Sequence, residues 1–211
     1  MSRFAGAALG CRRGERPVFD GLGFSLDDGG ALVLTGANGS GKTSLLRLMA
    51  GLLLPIAGRL LWDGREVAAD DRAHARRLRF VGHGDALKPA LTAAENLAFW
   101  AAFDGGSAAV GERVEAALAA FAITRLADVP GRYLSAGQRR RLALCRLLIT
   151  DAPLWLLDEP RTALDHDAVA CLDRALAAHR AAGGLCVLAV HGGDLPPGAS
   201  VLDLDAHTAR C

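Results

Sequence analysis

Apolar residues fall along this chain in patterns that change from one segment to the next. Between Ser2 and Leu26 they come in short stretches broken by charge and glycine, which predicts antiparallel strands with a turn near Arg13 and Gly14. Residues 31–35 then form a continuous apolar run, followed by a glycine-rich loop and by residues 42–51, where Leu45, Leu46, Leu48 and Met49 recur at helical spacing. Further strands are predicted at 58–62, 78–82, 153–157, 185–190 and 200–204, and helices at 92–103, 111–121, 137–149 and 166–182. Strands alternating with helices in this order define an α/β fold: a mostly parallel sheet covered on both faces, with an N-terminal antiparallel β portion and a helical middle. Residues 104–109 read as a loop tip, and neither an internal repeat nor a low-complexity tract interrupts the pattern.

The 211 residues suffice for one sizeable core and are too few for two substantial domains. A net charge of +1 leaves no global field for nucleic acid, which is not an expected partner. The longest stretches without Asp, Glu, Lys or Arg, 29–41 and 181–193, fall short of the roughly 18 apolar residues that a spanning helix needs. No signal peptide is legible at the start, so a cytoplasmic address is expected. Cys11, Cys145, Cys171, Cys186 and Cys211 are scattered without a CxxC pair and read as buried thiols, not as a zinc site or a disulfide framework. Of 24 basic residues only Lys42 and Lys88 are lysine.

One of those lysines completes Gly36-Ala37-Asn38-Gly39-Ser40-Gly41-Lys42-Thr43, which fits GxxxxGK[ST] between a buried strand and a helix, the context such a motif requires. Glycines there let successive N–H groups turn toward phosphate oxygens, and the helix start adds its positive dipole end. Lys42 reaches the terminal phosphates, Thr43 is a candidate Mg²⁺ ligand, and Ser44 completes the nucleotide-binding set. At the carboxyl end of a later apolar strand stand Asp158 and Glu159. Asp158 is the second candidate Mg²⁺ ligand, and Glu159 a general base for an attacking water.

With Leu134-Ser135-Ala136-Gly137-Gln138 some 20 residues before those acids, the chain resembles the nucleotide-binding subunits of ATP-binding cassette (ABC) transporters. The resemblance implies a P-loop ATPase of the ABC type spanning 1–211, with 1–84 and 150–211 as nucleotide-binding core and 85–149 as helical signature subdomain. It implies a homodimer in which Ser135, Gly137 and Gln138 of one chain close over ATP held by the other. Read from the residues alone, Ser135 is also a helix N-cap. Asp165 matches the family's D-loop, and alone would be an N-cap too. His191, after a buried strand, matches the switch histidine that contacts the γ-phosphate. Arg139, Arg140 and Arg141 read as a solvated face, since consecutive helical positions point in different directions.

The chain departs from the family pattern in places. His83 stands where most members have Gln in the loop leading to the helical part, and is assigned that catalytic coupling role. Near Arg13 falls the adenine-stacking position; a guanidinium plane can stack on a base, or Arg13 simply lies in a turn. Together with Ala136, Gly82-His83 and the stretch Leu91-Thr92-Ala93-Ala94-Glu95-Asn96-Leu97-Ala98-Phe99-Trp100, these features are similar to the ATP-binding subunits of cytochrome c biogenesis haem exporters. That implies ATP and Mg²⁺ as cofactors, integral membrane permease subunits as partners, and a peripheral place on the cytoplasmic face of a bacterial inner membrane. Leu87, Pro89, Leu97, Phe99, Trp100 and Phe103 are either the docking stripe for such a partner or the core of the helical part. Alternatives are an ABC exporter ATPase for another substrate and a non-transport ABC ATPase; the latter expects a coiled coil, a zinc motif or a basic stripe.

Overall fold

A computed structural model describes residues 3–68, 71–103, 109–192 and 195–207. They divide into two compact units, one within Met1–Gly82, Pro153–Glu159 and His179–Cys211, the other within His83–Ala152 and Pro160–Ala178.

The first unit is built on two sheets. Strands β1 (Phe4–Arg13) and β2 (Arg16–Leu26) form the expected N-terminal antiparallel pair, with β4 (Ala57–Trp62) and β5 (Arg65–Glu66) extending it in the order β2-β1-β4-β5. The short β5 escaped the sequence pattern, although its signal is present. Asp63 and Gly64 both have positive φ, 48° and 74°, the backbone that an Asp-Gly hairpin turn requires. The parallel sheet has the order β6-β7-β8-β3-β9, from β3 (Ala31–Thr35), β6 (Leu78–Val81), β7 (Leu154–Asp158), β8 (Leu185–Ala189) and β9 (Ser200–Asp203). Every residue of β7 and β8 is buried, which is why these strands read as continuous apolar runs instead of alternating ones. Helix α1 (Lys42–Met49) packs Leu45, Leu46, Leu48 and Met49 into a core shared with Phe4, Leu22, Leu34, Leu156 and Val187. A short helix α2 (Arg72–Arg76), also absent from the sequence reading, starts where the Asp71 carboxylate accepts from the Ala73 and His74 N–H groups.

Helices α3 (Ala93–Phe103), α4 (Val110–Ala120), α5 (Ala136–Cys145) and most of α6 (His166–Ala181) belong to the second unit. Helix α5 ends four residues before the expected Ile149. The N–H groups of Arg146, Leu147 and Leu148 turn instead to carbonyls three residues back, a tightening that ends the helix. The three arginines of α5 are not a solvated face. Arg140 is only 4% exposed, with its guanidinium 3.8 Å from Asp85, while Arg139 lies 3.9 Å from the same carboxylate and Arg141 pairs with Asp165 at 2.6 Å. Burial and carboxylate partners override what consecutive helix positions alone predict. Leu97 is fully buried, and so belongs to the core of this unit and not to a docking stripe, whereas Phe99 is exposed and Arg146 lies 3.8 Å over the Trp100 ring. Residues 104–108 of the expected loop tip, and the side chain of Phe103, lie outside the described residues.

Among the described residues no helix is long and apolar enough to cross a membrane. Cys11, Cys145, Cys171 and Cys186 are buried and free, and burial pushes the Cys186 thiol up to about 12. Cys211 lies outside the described residues.

Two histidines, His74 buried and His179 half-buried, make the stability of the first unit pH-sensitive. His74 lies against Phe4 and Trp62 and bonds the Met49 carbonyl at 2.8 Å through Nε2; His179 stacks on Trp155 with centroids 3.8 Å apart. Burial holds both below the usual histidine value of about 6.5, outweighing the backbone carbonyls that favour their protonation. Because the folded pKa values are lowered, the unfolded chain binds more protons as the pH falls through about 6.5, and stability is lost below that point. The urea midpoint is therefore expected to be lower at pH 5.5 than at pH 7.5; equal midpoints would remove the histidine contribution.

Candidate functional site

The parallel sheet sets the site, because β3 runs directly into the glycine-rich loop and β7 ends on the paired acids. Within the loop Gly36, Gly39 and Gly41 all have positive φ. At Gly41 (φ 109°) a Cβ would also lie 2.5 Å from Val18 Cγ1, so backbone conformation and the approach of β2 both demand glycine. Helix α1 starts at Lys42 with no side-chain cap and no acid in its first turn. Its first N–H groups are thus without a helical acceptor, at the positive end of the helix dipole. Lys42 is 6% exposed; its Nζ donates to the carbonyls of Gly36 (2.6 Å) and Ala37 (3.0 Å). Ser40 Oγ is buried with no hydrogen-bond partner. An anion fits this cradle on these grounds: orphan N–H groups, an ammonium resting on main-chain carbonyls, and a hydroxyl left unsatisfied.

Beside the loop, Thr43 Oγ1 donates to Asp158 Oδ2 at 3.0 Å, and Asp158 is 3% exposed. These are hard oxygen donors, and among the described residues no three His, Cys, Asp or Glu side chains converge. That donor set suits Mg²⁺, which takes few protein ligands and fills its shell from phosphate and water. Glu159 follows with φ 47°, an uncommon conformation for a residue with a side chain and a form of strain found at functional sites. Its N–H donates to the Ala189 carbonyl at 3.0 Å, and its Oε1 lies 3.0 Å from His191 Nε2.

Lys42, Thr43, Ser44, Glu159 and His191 line one cavity of ≈ 380 Å³ together with Asn38 to Gly41, Arg13, Arg16, Pro17 and Val18. Arg13 ends β1 at the turn and also lines this cavity. Arg16 was missed by the sequence reading; it pairs with Arg13 across the hairpin, and two strands joined by a tight turn were the available signal. A larger cavity of ≈ 520 Å³ lies beneath Leu52, Leu53 and Leu54. Asp71 in its lining is engaged by the α2 N–H groups and His74 Nε2 by the Met49 carbonyl, and no residue of the phosphate loop or the acid pair reaches it.

The remaining predicted residues belong to the second unit. Ser135 caps α5 in a reciprocal box: its Oγ accepts from the Gln138 N–H (3.2 Å), and Gln138 Oε1 accepts from the Ser135 N–H (2.8 Å). A Cβ on Gly137 would lie 3.0 Å from the Ala163 carbonyl, so a larger residue would push the two backbones apart by a few tenths of an ångström. Asp165 accepts from the Ala168 N–H at 2.9 Å, capping α6, and pairs with Arg141; the N–H bond and then the guanidinium hold its carboxyl below the usual carboxylate range. His83 is exposed.

Phosphate loop, strand order and paired acids are together those of an ABC-type P-loop ATPase, and the ABC transporter family profile matches residues 19–162. Among solved structures, a putative ABC transporter ATP-binding protein from Pyrococcus furiosus superposes with a TM-score of 0.84 at 19% identity, covering 98% of this chain and 99% of the other. The CbiO1 subunit from Clostridium perfringens, part of the CbiONQ ABC transporter complex, gives 0.79 at 23% identity over 96% and 84%. Curated relatives are nearer in sequence. The chain is 55% identical over 205 residues to the cytochrome c biogenesis ATP-binding export protein CcmA of Paramagnetospirillum magneticum, covering 97% of this chain and 94% of the relative. The same-named protein of Rhodospirillum rubrum is 56% identical over 202 residues, 96% and 85% of the two chains. The chain belongs to the ABC transporter family and, within it, to the cytochrome c biogenesis ATP-binding export proteins.

Proposed function

We propose that this ATPase powers a haem-exporting or haem-chaperone-releasing complex of cytochrome c biogenesis, acting as a homodimer with ATP and Mg²⁺ at each of two shared sites. As an ABC ATP-binding subunit it works with membrane-spanning permease subunits, and it sits as a peripheral subunit on the cytoplasmic face of the inner membrane through them. What carries the reading is the convergence of Lys42, Thr43, Glu159 and His191 on one cavity of nucleotide size.

Gly36, Ala37, Asn38, Gly39, Ser40, Gly41 and Ser44 wrap the phosphates, and Lys42 leaves its resting carbonyls to meet the terminal ones. Thr43 and Asp158 hold Mg²⁺, which offsets the phosphate charge when bound. Glu159 draws a proton from a water whose oxygen bonds to the γ-phosphorus as the bond to the bridging oxygen breaks and ADP leaves. His191 keeps the Glu159 carboxylate aimed and supports the γ-phosphate. Arg13 and Arg16 offer guanidinium planes to the base. Ser135, Gly137 and Gln138 of the partner chain close the site from the other side, with Asp165 linking the two sites. The nucleotide-binding core comprises residues 1–84 and 150–211, and residues 85–149 form the signature subdomain. His83 carries the state of the site to the permease.

Solubilising membranes in mild detergent and recovering the tagged chain tests the assignment. The expected catch is the integral subunits of the cytochrome c biogenesis exporter, with ATP turnover of the recovered complex responding to haem. Recovery with the spans of a different transporter would replace the cargo and keep the ATPase.

A further inference from the structure

We infer that Asp205, in the C-terminal 3-10 turn Leu204–His207, is a positioning residue for the phosphate loop: its carboxylate holds the Gly36–Ala37 peptide in the orientation that nucleotide binding uses. The inference rests on the reading of the cavity as an ATP site.

Sheet register brings the two segments together. β9 pairs in parallel with β3, and Asp203 stands opposite Thr35, so the residues that follow each strand leave the sheet side by side. Leu204 is fully buried in the core and anchors the turn, and the Asp205 N–H donates to Asp203 Oδ1 at 3.0 Å. Asp205 itself is exposed, and packing therefore does not account for where its carboxylate lies. Its Oδ2 accepts from the Ala37 N–H at 2.9 Å, across 168 residues of sequence. A Cβ on Gly36 would fall 3.2 Å from Asp205 Oδ1 and 2.8 Å from Ser40 Oγ, so the carboxylate lies close against the loop entry, where a φ of 131° favours glycine.

One peptide unit is thereby held at both ends. Its carbonyl, on Gly36, accepts from the Lys42 ammonium at 2.6 Å, and its N–H, on Ala37, donates to Asp205. A cation at the oxygen and an anion at the N–H polarise the same amide in the same sense, so each bond strengthens the other. When Lys42 moves to a phosphate, the Gly36 carbonyl loses that partner, and Asp205 is the remaining grip on the peptide. The Ala37 carbonyl one residue on accepts from the Ser40 N–H at 3.1 Å, so the orientation passes directly into the part of the loop that faces phosphate.

The test uses the purified full chain, a fluorescent ATP analogue and steady-state phosphate release. Asp205→Ala is expected to raise both Kd and KM about three- to tenfold, the loss of one charge-assisted hydrogen bond, with kcat within about twofold of wild type. Asp205→Asn keeps an oxygen that accepts from the same N–H but lacks the charge, and is expected to restore both constants in part. Wild-type affinity in Asp205→Ala would overturn the inference, as would equal impairment in Asp205→Asn. Should Asp205→Ala fail to fold, Asp205→Ser carries the comparison, since its hydroxyl is too short to reach Ala37. Amide exchange at Ala37 without nucleotide is the independent readout, slow in wild type and Asp205→Asn and fast in Asp205→Ala; equal rates in all three would sink the contact. A wild-type chain that fails to bind ATP would overturn the reading of the cavity, while the exchange rates still decide the role of Asp205.

Discussion

Glu159→Gln stops phosphate release and leaves ATP in place. The amide has nearly the shape of the carboxylate and keeps an oxygen beside His191 Nε2, from which Glu159 Oε1 is 3.0 Å distant. What it lacks is basicity, so a water aligned against the γ-phosphorus has nowhere to put its proton. Loss of a general base lowers kcat by about 10² to 10⁴, or roughly 3 to 5 kcal/mol in the barrier at about 1.4 kcal/mol per tenfold. Nucleotide affinity is expected to stay within about threefold, because the Lys42 cradle is untouched. With turnover blocked and ATP retained, the closed pair of chains accumulates, so light scattering with Mg²⁺ and ATP should report a doubled mass. A variant that keeps a third or more of wild-type turnover would place the proton acceptor elsewhere.

Lys42→Ala acts on binding before chemistry. The ammonium is buried and rests on two main-chain carbonyls, 2.6 and 3.0 Å away, from which it can turn to the terminal phosphates without dragging bulk through the loop. Hydrogen bonds to charged groups are worth about 1.5 to 3 kcal/mol, so its loss should raise the Kd for ATP by roughly 10- to 100-fold and abolish measurable hydrolysis. Lys42→Arg should not rescue, because a planar guanidinium cannot fit where a slim point charge lies against the Gly36 carbonyl. The pair of variants separates two functions: equilibrium binding fails in Lys42→Ala and survives in Glu159→Gln. Unchanged affinity in Lys42→Ala would remove the cavity from the list of nucleotide sites.

Legibility in the sequence follows how local each determinant is. The strands β3, β7 and β8 and the loop from Gly36 to Thr43 were readable because runs of buried residues and glycines with positive φ leave marks within a few positions. Where α5 ends was not readable, since the turn after Cys145 preserves the apolar spacing of a helix while its hydrogen bonds shift to three residues back. Nor was the fate of Arg139, Arg140 and Arg141: a helix wheel sends them apart, but Asp85 and Asp165 arrive from distant parts of the chain and engage all three. Leu97 carried the same ambiguity, and only its complete burial assigns it to the core.

Spacing alone was enough to specify the kind of chemistry, because a phosphate loop and an acid pair each need particular residues a fixed few positions apart. Folding supplied what spacing cannot. Parallel pairing of β7 with β8 brings Glu159 to His191, the β1–β2 hairpin brings Arg16 beside Arg13, and pairing of β9 with β3 delivers Asp205 to Ala37. Each of the first and third joins residues far apart in the chain, and such a meeting depends on the register of whole strands rather than on the residues that meet.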